Sequence, residues 1–173
     1  MNEVIQTIIS RRSCKNYTSQ PVPQEALEQI LQAGIHAPTG MGAQSPKIVV
    51  LNRAEDVAQL EKLNAKIIGN PAAHPFYGAG TVLVVLAKKD FFTGVYDGSL
   101  VMGNLLLAAH ALGLGACWIH RAKEEFESEE GKALLRKWGI EGEYEGIGHC
   151  VIGYPASAPA PAKPRKADYI VRA

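Results

Sequence analysis

Residues 97–112, DGSLVMGNLLLAAHAL, read as a helix that is apolar almost all round. A helix of that kind has to be enclosed on every side. The chain has 173 residues, so little protein surrounds this stretch, and a subunit interface is the easiest source of the remaining cover. A membrane does not serve instead. Residues 100–114 are interrupted by Gly103, Asn104, His110 and Gly113, and fall short of the ~20 apolar residues a span requires. Gly113 and Gly115 end the helix, and residues 116–119 follow as a short strand.

Helices and strands alternate through the rest of the chain. Val4, Ile5, Ile8 and Ile9 share one helical face behind an Asn2 N-cap, and this helix ends near Arg11, Arg12 and Ser13. Pro23 suits the first turn of a second helix with the face Ala26, Leu27, Ile30 and Leu31. Gly34 is placed to cap its end. A Pro- and Gly-rich loop fills residues 36–46. KIVVL at 47–51 predicts a buried strand, and residues 53–68 predict a helix bearing Val57, Leu60 and Leu63. After a second loop at 69–80, TVLVVLA at 81–87 is the strongest strand of the chain. Residues 124–138 read as a broken amphipathic helix and 147–154 as a strand. ASAPAPAKP at 156–164 predicts an extended tail. The order predicts helices covering a sheet, in one domain over residues 1–173 with residues 155–173 as its tail.

Composition removes several classes of function. Lys and Arg number 18 and Asp and Glu 17, a net charge of +1. That balance offers no basic surplus for nucleic acid and no acidic surplus. The three cysteines, Cys14, Cys117 and Cys150, are odd in number and scattered, which suits reduced thiols in a cytoplasm. No CxxC pair suggests a structural zinc site. The first residues carry Glu3 and only a short apolar run, unlike a signal peptide.

Two basic clusters are the main candidates for chemistry. Arg11, Arg12, Ser13 and Lys15 follow the first helix, and Lys163 and Arg165 lie in the tail. Guanidinium groups bind phosphate through paired hydrogen bonds. If the tail folds back on the first cluster, the two form a phosphomonoester site; otherwise both are solvated charge runs. Gly113-Leu114-Gly115 is not a dinucleotide-binding turn, because it leads from helix to strand and lacks the third glycine. Among His36, His74, His110, His120 and His149 there is no HExxH and no i,i+4 pair. All but His120 read as satisfied or surface histidines. His149 and Cys150 should face opposite sides of a strand. Cys14 reads as a small, half-buried residue rather than an activated thiol.

Taken together, these segments resemble the FMN-dependent nitroreductase family over nearly the whole chain. Arg11-Arg12-Ser13-Cys14-Lys15 with Pro21-Val22-Pro23 resembles its opening phosphate motif. HAPTGMGAQSPKIVV at 36–50 resembles its small-residue loop and the strand after it. Residues 97–119 resemble its long central helix and following strand. Gly153-Tyr154-Pro155 with Lys163 and Arg165 resembles its C-terminal phosphate contacts. The resemblance implies an α+β fold in three layers, α/β/α, with a mixed, mostly antiparallel sheet, working as an intertwined homodimer with FMN at its interface. It implies that Arg11, Arg12, Ser13, Lys163 and Arg165 hold the FMN phosphate, and that Lys15 lies near the pyrimidine edge of the flavin. Pro38, Thr39 and Gly40 should cover the ring from the partner subunit, with Gln44 and Asn70 as further contacts. Trp118, Ile119 and His120 should approach the flavin N5 side, mainly through main-chain groups.

The implied activity is reduction of nitroaromatics, quinones or other electron-poor small molecules, with NADH or NADPH as donor, and no indispensable side-chain acid or base. Some family features differ here. Gly42 stands where the family has Asn, and Ser45-Pro46 where it has Pro-Trp. Larger members also insert helices that have no counterpart in this chain. The alternative is therefore an FMN-binding or sensing protein with little turnover. Phe76 and Tyr77 read either as walls of a substrate pocket or as packing under the second loop.

Overall fold

The computed structural model describes all 173 residues. Strands β1 (Lys47–Leu51), β2 (Thr81–Lys88), β3 (Gly115–Ile119) and β4 (Tyr144–Gly153) form one sheet in the order β1-β2-β4-β3. Every neighbouring pair is antiparallel. The parallel component expected for the sheet reduces to an isolated bridge from Ser13 to Ala116 on β3. Six helices accompany the sheet: α1 (Glu3–Ser10), α2 (Gln24–Ile35), α3 (Ala54–Ile68), α4 (Gly94–Ala111), α5 (Ala122–Glu127) and α6 (Glu129–Lys137).

Alternation along β2 sorts the helices into two layers. Val82 and Val84 pack with Leu60 of α3, Phe126 of α5 and Leu134 of α6. Leu83 and Val85 pack with Ile30 of α2 and with Met102 and Leu105 of α4. Successive side chains of a strand point to opposite faces. The sheet is therefore buried on both sides, giving the three-layer α/β/α arrangement that the resemblance implied.

Local chemistry sets several ends. The Asn2 side chain accepts the Val4 N–H at 2.9 Å and starts α1. Ser128 breaks the fifth helical segment in two, and its hydroxyl accepts the Gly131 N–H at 3.0 Å to start α6. Gly113, with φ +76°, turns the chain out of α4. Gly34 differs from its expected role as a cap. It is buried inside α2, where a Cβ would lie 2.6 Å from Leu105 Cδ2, so it serves close approach of α2 to α4. Pro23 is the N-cap of α2 rather than part of its first turn. β4 starts three residues earlier than expected. Gly146 hides the start of the strand pattern because Ala122 keeps it small, as Trp118 does Gly148 further along.

The sheet and α2 cover only part of α4. Met102 and Leu105 are fully buried, whereas Val95, Tyr96 and Leu100 are 49%, 71% and 48% exposed. Helix α1 buries no residue within the chain, and all of Val4, Ile5, Ile8 and Ile9 are exposed. No helix is long and apolar enough to cross a membrane.

Candidate functional site

The segment after α1 runs beside the outer edge of β3. The Cys14 N–H donates to the Ala116 carbonyl at 3.0 Å, and the buried Tyr17 hydroxyl donates to the Cys14 carbonyl at 2.8 Å. Burial, reinforced by the surrounding thiols, pushes the Tyr17 pKa far up, so its donor proton stays in place. These contacts fix the main chain through Ser13 and Lys15.

The two arginines then behave differently. Arg12 Nη1 donates to the carbonyls of Ile9 and Arg11 at 2.8 and 2.7 Å. Arg11 Nη1 is buried and has no hydrogen-bond partner. A buried, unpaired guanidinium nitrogen is costly unless an anion satisfies it. A cavity of about 460 Å³ opens beside the next residues of this segment, lined among others by Arg12, Ser13, Lys15, His110, Gly115 and Ser157 but not by Arg11. His110, in the last turn of α4, has its Nε2 2.8 Å from the Ser10 hydroxyl. Burial, and then the charges of Arg11 and Arg12, lower its pKa.

A second group of expected residues gathers around the end of β3. Lys15 Nζ stands 5.8 Å from the centroid of the Tyr77 ring, within reach of a cation–π contact. Trp118 is half-exposed, with its indole seated over Gly148. Because Ala116 faces the outer edge, strand alternation turns the Trp118 main-chain groups to that edge too. Ile119 is buried in the core. The His120 carbonyl accepts from Nδ2 of the buried Asn64 at 3.0 Å, and Asn64 Oδ1 accepts from Arg121 Nε at 3.2 Å. Arg121 is in the left-handed region, with φ +78°, so Asn64 pins a turn of uncommon geometry. One helical turn away on α3, Glu61 accepts the Phe76 N–H at 2.9 Å.

Other expected residues lie apart from this cluster. Phe76 is only 1% exposed and packs edge-on to His149, so it is core rather than pocket wall. Asn70 is exposed, and its side chain accepts the Ala72 N–H in a local turn. Thr39 and Gln44 line a separate recess of about 120 Å³ with Pro46 and Ile48. Their loop, which also carries the exposed Pro38, is tied down where Asp97 accepts the Gly40 N–H at 3.0 Å and the Thr93 hydroxyl at 3.0 Å. Lys163 and Arg165 are exposed in the tail and do not line the basic cavity.

Asn64, Asp97, Glu125 and the roles of His110 and His149 escape the sequence reading. Asn64 and Asp97 are polar residues on otherwise buried helix faces, which was the available signal. Glu125 Oε2 and His149 Nε2 are 2.5 Å apart with both side chains fully buried. No group of three His, Cys, Asp or Glu side chains is arranged to hold a metal ion.

Residues 8–154 match the Nitroreductase family. An FMN reductase [NAD(P)H] of Bacillus subtilis is 25% identical, the match covering 96% of this chain and 72% of that protein. A nitroreductase of Bacteroides fragilis, crystallised with bound FMN, is 26% identical and superposes with a TM-score of 0.92 over all of both chains. A nitroreductase of Desulfitobacterium hafniense, 23% identical over 100% of this chain and 99% of that one, shares the fold with a TM-score of 0.88. The family match spans α1's end, the basic segment and all four strands, and on that extent the chain belongs to the nitroreductase family.

Proposed function

We propose that this chain is an NAD(P)H-dependent flavin oxidoreductase that carries FMN and reduces electron-poor small molecules such as nitroaromatics and quinones. The observation that carries this reading is the basic cavity lined by Arg12, Ser13, Lys15 and His110, next in the chain to Arg11, whose buried Nη1 has no hydrogen-bond partner. A phosphate monoester offers its acceptor oxygens to such a cluster of cations and hydroxyl. The residues present therefore fit the phosphate end of FMN.

When bound, FMN supplies the redox chemistry, receiving a hydride from NADH or NADPH and passing two electrons to the acceptor. Arg11 and Ser13 bind its phosphate, with Arg12 held close by its bonds to α1. Ser157 and Ala160 already wall the cavity. Lys163 and Arg165 follow within five residues of Ala160, so a short movement of the tail adds both to the phosphate. Lys15, steered by Tyr77, provides the positive charge that stabilises a reduced, anionic ring. The outer edge of β3 at Trp118 and the turn at His120 orient the reactive side. Donor and acceptor use one pocket in turn, which gives ping-pong kinetics.

The exposed apolar faces of α1 and α4 support a homodimer in which a second copy covers them. The loop of Pro38, Thr39 and Gly40, with Gln44, then reaches the partner's flavin, and Asn70 borders the ring in its own subunit. Residues 1–173 form one domain with residues 155–173 as its tail. Three free thiols fit a cytoplasmic setting, and the near-zero net charge fits a protein without nucleic-acid partners.

Purified protein should be yellow, release FMN on heating and bleach with anaerobic NADH or NADPH. Steady oxidation of the donor with menadione or nitrofurazone should follow. A protein that stays colourless after incubation with excess FMN overturns the reading. One that bleaches without sustained turnover is a flavin-binding or sensing protein instead. His120→Ala should keep FMN and lose less than about tenfold in turnover, well below the loss expected for a general acid or base.

A further inference from the structure

We infer that His110 takes up a proton when the phosphate of FMN enters the basic cavity, so that cofactor affinity is tied to pH. The inference rests on the FMN reading above and concerns a residue outside the two basic clusters.

His110 lines the cavity together with Arg12, Ser13 and Lys15. Its Nε2 is engaged by the Ser10 hydroxyl at 2.8 Å, which fixes the ring in the last turn of α4. Charged neighbours reach it from one direction only. Arg11, Arg12 and Lys15 belong to the segment after α1, and the thiol of Cys14 lies in the same segment. The tail residues that complete the wall, Pro155 and Ser157 to Ala160, carry no charge. Within α4 the other ionisable side chains, Tyr96 and Asp97, lie at the opposite end of the helix. Without an anion, burial and the two guanidinium groups keep the imidazole neutral near neutral pH. A phosphate dianion in the cavity offsets the two guanidinium charges, and its own negative charge beside the ring favours imidazolium. The binding proton comes from solvent, and no bond is made or broken.

The direction of the linkage follows. The protonated histidine is a feature of the complex, so the affinity it adds is present at lower pH. It is lost as pH rises past the histidine pKa of the complex. A phosphate monoester is already a dianion from about pH 7 upward, its second pKa being roughly 6, so the ligand adds no slope there.

The test is FMN binding to flavin-stripped protein, followed by quenching of flavin fluorescence between pH 7 and pH 9. Riboflavin, which lacks the phosphate, serves as the comparison ligand. The dissociation constant of the wild type for FMN should rise about tenfold across this range, while that for riboflavin stays level. His110→Gln, which keeps a partner for Ser10 but cannot become a cation, should bind FMN about tenfold more weakly at pH 7 and show no slope. Equal slopes in the two proteins, or an equal slope with riboflavin, would overturn the role of His110 while leaving FMN binding intact. Failure of the wild type to bind either flavin would overturn the FMN reading itself, and this inference with it. Calorimetry at pH 7.5 in buffers of differing ionisation enthalpy gives a second readout: net proton uptake on FMN binding by the wild type, absent in the variant.

Discussion

Glu125→Ala is expected to destabilise the fold by about 3–5 kcal/mol, the usual cost of removing one partner from a buried pair of ionisable side chains. Glu125 and His149 are both fully buried and 2.5 Å apart. Phe76 and Phe126 meet the imidazole edge-on, at centroid distances of 5.4 and 6.3 Å, so the surroundings of the ring are apolar on those sides. Nδ1 of His149 already lacks a partner, and the substitution leaves the whole ring unsatisfied. Glu125→Gln keeps an acceptor and should cost about 1–3 kcal/mol. Urea denaturation at constant m-value reads both changes. A loss below about 1 kcal/mol for the alanine variant would show that the pair contributes nothing beyond packing. The position matters for the site as well, since His149 pairs in register with Ile119, the last residue of β3 before the turn at His120.

Arg11→Ala should weaken FMN binding by about ten- to a hundredfold, in line with about 1.5–3 kcal/mol for hydrogen bonds to a charged group. The affinity for riboflavin should stay within about threefold, because the lost contact is to phosphate. Arg11→Lys keeps the charge but not the planar fork, and should fall between the two. Equilibrium dialysis with each flavin measures the series. An alanine variant that holds FMN as tightly as the wild type would return the unpartnered Nη1 to an ordinary packing defect and remove Arg11 from the phosphate site.

Local pattern in the sequence sufficed for most elements, and failed where a residue answers to a distant partner. KIVVL is a strand and residues 124–138 a broken helix because each signal lies within a few residues. Gly113 reads correctly as a helix end, since its positive φ is a local requirement. Gly34 does not, because what keeps it small is Leu105 on another helix. Gly146 obscured the start of β4 for the same reason. The polar anchors follow suit. Asn64 bonds to a carbonyl 56 residues away and Asp97 to an N–H 57 residues away, separations at which no periodicity operates. The basic cluster was visible as composition. Its division into a self-satisfied Arg12 and an unsatisfied Arg11 depends on side-chain paths that only the packed structure determines.

Helix α3 holds two sides of the region around β3's end at once. Asn64 fastens the turn at His120, and Glu61 fastens the segment that delivers Phe76 and Tyr77. Both fastenings grip main-chain atoms, which every amino acid shares. The outward side chains of Tyr77, Trp118 and His120 take no part in them. Exchanges at these three positions therefore leave both fastenings in place. The main-chain frame at the end of β3 is thus held from one helix, by contacts that do not depend on which side chains those three positions carry.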